Sequence, residues 1–130
     1  MRYALLIVFV ALIATPQQAS AVESARDLAN YCEALQQGAK GRGHNVRIPG
    51  TKAALQCWGY MQAMQNMSVL IDESGRRVIG SCPPEETTLL QLIRAFVTYA
   101  RSHPKQLEGN AAVAVINSFK DAFPCDQPPS

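Results

Sequence analysis

An all-α fold, a small bundle of about four antiparallel helices stapled by two disulfides, is what this 130-residue sequence predicts. Three observations predict it. Apolar residues recur at helical spacing in four separate segments, short Gly- and Pro-rich stretches divide those segments, and four cysteines occur in a chain that begins with an export signal. The length allows one domain, expected over residues 22–130.

The export signal comes first. Arg2 precedes the apolar run Ala4 to Ala14, a Pro16-Gln17-Gln18 break follows, and Ala19-Ser20-Ala21 supplies a small-x-small cleavage pattern. Residues 1–21 therefore read as a signal peptide cleaved near Ala21-Val22. Eleven apolar residues fall short of the roughly 20 that a spanning helix needs. The mature chain is expected to be an exported, soluble, periplasmic protein.

The first helix is predicted from about Ser24 to Gln37, with Ser24 as N-cap, Asp27 in the first turn and Leu28, Tyr31, Cys32 and Leu35 on one face; Gly38 ends it. Residues 38–50 carry Gly38, Gly41, Gly43, Pro49 and Gly50 and read as a loop. Thr51 caps a second helix from Lys52 to about Ile71, which places Cys57, Tyr60, Met61, Met64, Met67, Ser68 and Ile71 on one face. Residues 72–80 read as loop, including Arg77-Val78-Ile79. A third helix is predicted from Glu85, whose charge with that of Glu86 suits a helix start, to Ser102, burying Leu89, Leu92, Ile93, Phe96, Val97 and Ala100. His103-Pro104 turns the chain into a fourth helix from Gln106 to Ala122, burying Ala112, Val115, Ile116, Phe119 and the neighbourhood of Phe123.

Short connections make the helices antiparallel neighbours, and that selects a disulfide pairing. Cys32 lies five residues before the end of the first helix and Cys57 five after the start of the second, so they face each other across one hairpin. Cys82 and Cys125 flank the open end of the other. Cys32–Cys57 and Cys82–Cys125 are the expected bonds.

Charge excludes more than it suggests. Without Arg2, 11 basic residues face 10 acidic ones, which gives no support for a nucleic-acid partner. The distribution is uneven, with no Asp or Glu between Glu33 and Asp72 and with Lys40, Arg42, Arg47 and Lys52 all in that interval. A local positive patch follows.

Catalytic chemistry finds little to work with. Four paired cysteines leave no thiolate nucleophile, and the only histidines, His44 and His103, sit in no nucleophile elbow. His103 suits the negative end of a helix. Asp72-Glu73 and Glu85-Glu86 are adjacent pairs and do not converge on a point. Met61, Met64 and Met67 would suit Cu(I), but the same spacing fills a helical core, and no companion ligands accompany them. No cofactor, no metal site and no catalytic residue is expected. Trp58 reads as a core-edge residue, with an exposed partner anchor as the alternative. A rigid binding module remains, with copper carriage and acid-stress chaperoning as the rival classes.

Cys57-Trp58-Gly59-Tyr60, Ser81-Cys82-Pro83-Pro84, Gln91-Leu92, His103-Pro104 and Ala122-Phe123-Pro124-Cys125, taken in order, give a likeness over about residues 28–125. The set resembles the Rap/Tai family of small periplasmic immunity proteins of type VI secretion. The resemblance implies a helical, disulfide-bonded protein, often a homodimer, that is no enzyme and that binds and occludes a peptidoglycan amidase effector of the papain-like kind. One departure is Ala63, where the family's C-x-G-Y-x-x-G pattern has its second glycine. The matching residues build the frame, so partner contact is expected from the loops, with Arg42, His44, Arg47, Arg76 and Arg77 as the polar candidates.

Overall fold

The computed structural model describes Val22 and residues 24–126, and the predicted signal peptide lies outside the described residues. Four helices dominate: α1 (Ala25–Gly38), α2 (Lys52–Ser68), α3 (Leu89–Ser102) and α4 (Ala111–Ala122). The fold is not purely helical. A two-stranded antiparallel hairpin, β1 (Lys40–Arg42) and β2 (Asn45–Arg47), occupies the predicted 38–50 loop, with Lys40 opposite Arg47.

Sequence reading missed the hairpin because its strands have three residues each and no apolar alternation. Its turn depends on glycine. Gly43 has φ +59°, as the two-residue hairpin turns require, and Gly41 has φ +110° with the Asn45 carbonyl oxygen only 2.0 Å from where a Cβ would stand.

Helix boundaries follow side-chain caps. Ser24 caps α1 by accepting from the Asp27 amide, and Thr51 caps α2 by accepting from Ala54. The third helix starts at Leu89, four residues later than Glu85, because Thr88 and Gln91 form a reciprocal capping box while Glu85 and Glu86 stay in a turn. The fourth starts at Ala111 and not at Gln106, since Asn110 accepts from the Ala112 and Val113 amides. Pro104–Glu108 forms a separate 3-10 turn that buries Leu107. At the other end of α2, the predicted reach to Ile71 fails: the chain leaves the helix after Ser68, the Val78 amide donates to the Leu70 carbonyl, and Ile71 bridges Arg77. Val69, Leu70 and Ile71 are exposed as a result.

The helices pack as two hairpins, α1 on α2 and α3 on α4, with α1 also against α3. Leu28, Leu35, Met61, Leu92, Ile93, Phe96, Val97, Val115 and Phe119 fill the space between them. Ala112, Ile116 and Phe123, predicted as buried, are half-buried at its margin. Disulfides join Cys32 to Cys57 and Cys82 to Cys125, one across each hairpin. The second is reinforced by the Cys82 amide, which donates to the Phe123 carbonyl, and by a bridge between Ser81 and Pro124.

Ser81 is fully buried and its hydroxyl has no hydrogen-bond partner among the described residues. A buried hydroxyl left unsatisfied costs about 1–3 kcal/mol, so Ser81→Ala is expected to leave stability unchanged or raise it by up to about 1 kcal/mol. Urea titration checks this, and a loss above about 1 kcal/mol would mean that the hydroxyl has a partner.

Candidate functional site

Two exposed segments project from the helical frame. The first follows α2 and is organised by one carboxylate. Asp72 Oδ1 accepts from the Ser74 amide at 2.8 Å, the Ser74 hydroxyl at 2.5 Å and the Arg76 amide at 3.0 Å, while Oδ2 faces the Arg76 guanidinium at 3.3 Å. The Asp72 amide in turn donates to the Arg76 carbonyl. Arg77 donates from Nη1 to the Val69 carbonyl at 2.9 Å. The segment is thus an ordered turn that carries Asp72, Glu73, Arg76 and Arg77, with Val69, Leu70, Ile71 and Val78 exposed on its flanks.

The Ser74 hydroxyl, then the Arg76 amide, hold the Asp72 carboxyl below its usual 3.8. A lowered folded value means that the charged form carries the loop's order. That contribution is complete above pH 3.8 and fades as the pH falls below it and through the lowered value. Backbone dynamics of residues 72–77 are expected to increase in acid while the helices stay intact. NMR relaxation measured from neutral to acid pH checks this, and an unchanged loop would show that Asp72 does not organise it.

The hairpin β1–β2 is the second segment. Arg42 lies beside Gly41 and Gly43 at a small cavity of about 160 Å³ closed by Thr88, Gln91 and Arg94 at the start of α3. His44 lines a neighbouring groove of about 430 Å³ with Val46, Trp58, Gln62 and Gln65. Arg47 lines neither and stands exposed opposite Lys40. Trp58 is half-buried against the core, as a core-edge residue is, and also lines the His44 groove. Burial raises the pKa of Tyr60, two residues on.

Arg76 and Arg77 meet a residue that sequence reasoning missed. With Lys120 of α4 they line an open groove of about 640 Å³, walled by Val78, Gly80 and the Cys82–Cys125 disulfide. Lys120 is far from the loop in sequence. The two meet at Gly80, whose φ of +67° turns the chain under the Lys120 stem so closely that Cε would stand 2.9 Å from a Cβ there.

The methionine run does not present a common face. Met61 and Met64 are buried and only Met67 is exposed, as expected of core packing and contrary to what copper capture by all three requires. Gly59 also departs from expectation. It faces open space, with no atom of the described residues within 4 Å of the place a side-chain methyl would take beyond its own helix backbone. Leu55 and Met67 are exposed on the same helix, and α2 has no charged residue after Lys52.

The pockets are open, no nucleophile and base are brought together among the described residues, and all four cysteines are bonded. No helix among the described residues is long and apolar enough to cross a membrane. No curated protein and no solved structure gives a significant match. The family model of the Rap1a immunity proteins matches residues 24–125, from the cap of α1 to the last cysteine. A match of that extent places the chain in the Rap1a immunity protein family.

Proposed function

We propose that this immunity protein acts in the periplasm, after removal of residues 1–21, by binding and occluding a peptidoglycan amidase delivered by type VI secretion. The producer and its kin are thereby protected. The observation that carries the reading is the family match combined with a stapled frame that holds the 69–80 knob and its two arginines in one ordered shape. A papain-like amidase works in an open cleft, and a pre-ordered loop enters such a cleft with little further loss of conformational entropy. The protein acts as an inhibitor and not as an enzyme. A second copy of the chain is the natural cover for the uncharged outer face of α2, where Leu55, Gly59 and Met67 are exposed.

Reversing both knob charges, Arg76→Glu with Arg77→Glu, tests the contact. Inhibition of the amidase is expected to weaken by at least about tenfold, since truncating or reversing a charge at a desolvated interface costs about 2–5 kcal/mol. Melting temperature measured alongside separates lost contact from lost folding. Unchanged inhibition would move the contact to Arg42 and His44 on the hairpin.

A further inference from the structure

We infer that the groove between the 69–80 knob and the C-terminal end of α4 receives an acidic segment of the effector, an Asp or Glu carboxylate flanked by apolar side chains. The inference rests on the immunity reading and adds the chemistry of the partner to it. Its ground is the balance of charge in one concavity. Arg76, Arg77 and Lys120 all line the groove, against a single carboxylate, Asp72. That carboxylate is already committed: Oδ1 takes three hydrogen bonds and Oδ2 faces Arg76. Lys120 has no ion pair and no hydrogen bond among the described residues. The lining thus carries three cations against one carboxylate, with one Arg77 nitrogen on the Val69 carbonyl and Glu73 outside the lining, around an open space of about 640 Å³, within the usual size of a ligand-binding cleft.

The same walls define the rest of the ligand. Val78 is exposed and the Cys82–Cys125 sulfurs border the groove, so the carboxylate's neighbours meet apolar surface. Both rims are held in place, one by the Asp72 hydrogen bonds and the other by the disulfide and the Cys82 amide bond to Phe123. Lys120 lies along Gly80 and lines the groove from the other side. By contrast, Arg42 faces a cavity of only about 160 Å³ that it shares with the cap of α3.

The probe is a capped hexapeptide of alternating aspartate and leucine, with its asparagine–leucine counterpart, titrated into the full mature chain and followed by amide chemical shifts. Saturable shifts are expected around Gly80 and Lys120 with the acidic peptide alone. Binding should weaken by about tenfold in Lys120→Met, which keeps the stem over Gly80, and again as salt shortens the screening length. Arg76→Gln, at an exposed position, gives a second variant with the same expected direction. Equal binding of the asparagine peptide, equal shifts across residues 40–47, or no shifts at all would overturn the inference. So would phosphatidylglycerol vesicles shifting the knob when the peptide does not, since that outcome assigns the surface to a lipid. Peptide binding by a protein that inhibits no amidase would instead sink the immunity reading and leave the groove in place.

Discussion

Replacing Cys32 and Cys57 together by alanine is expected to lower stability by about 3.5 kcal/mol. The bond closes a loop with a sequence separation of 25 residues, and the denatured chain regains that closure entropy when the bond is removed. Both cysteines are fully buried between α1 and α2, so lost packing adds to the loss. The Cys82–Cys125 bond spans 43 residues and is expected to contribute about 4 kcal/mol by the same arithmetic. Against a total of about 5–15 kcal/mol for a domain of ordinary stability, either loss is large. The two losses differ in what they release. Without the first bond α1 loses its tie to α2 in the core, whereas without the second the end of α4 separates from residue 82 and the cationic groove loses a wall. Denaturant midpoints of the two double variants check the magnitudes, and a loss below about 1 kcal/mol for either would show that loop closure is not what the bond supplies.

Phe96→Ala carries the second large effect, about 3–5 kcal/mol. Phe96 is fully buried in the middle of α3, among the largest side chains of the core, where truncation leaves a cavity that rigid, cross-linked helices cannot close. Leu55→Ala is the contrasting case. Leu55 is 54% exposed on α2, and its truncation should cost well under 1 kcal/mol in the monomer. Thermal or urea unfolding of the pair checks both values. Equal losses would mean that α2 is covered in solution, as a second copy on its uncharged face would cover it.

What the sequence made legible was whatever rests on periodicity and on short-range capping. Leu92, Ile93, Phe96 and Val97 mark the buried face of α3 by spacing alone, and Ser24 and Thr51 announce the starts of α1 and α2. The cysteine pairing was legible because the connection within each helical hairpin fixes which heights can meet. The start of α3 was not, because the adjacent charges Glu85 and Glu86 looked like a first turn while the stronger reciprocal bonds of Thr88 and Gln91 lay three residues on. The hairpin at 40–47 was hidden for a different reason. Its strands pair with each other around a glycine turn, which leaves no apolar pattern.

The candidate site divides along the same line. Arg76 and Arg77 were visible as charges in a polar loop, but the order that Asp72 imposes on them depends on backbone geometry within five residues. Lys120 was invisible, because only the fold brings the end of α4 to Gly80. Arg47 was visible as part of a charge run and yet lines neither hairpin groove. Charge in a loop can be read from sequence; which charges share a concavity cannot.

Co-expression in a bacterial host tests the central claim most directly, with a type VI peptidoglycan amidase directed to the periplasm in the presence or absence of the full-length chain. The account predicts that the exported, oxidised protein prevents lysis and that purified mature protein abolishes peptidoglycan cleavage at stoichiometric amounts. Lysis at an unchanged rate, with the protein folded and exported and with each candidate amidase tested in turn, would contradict it.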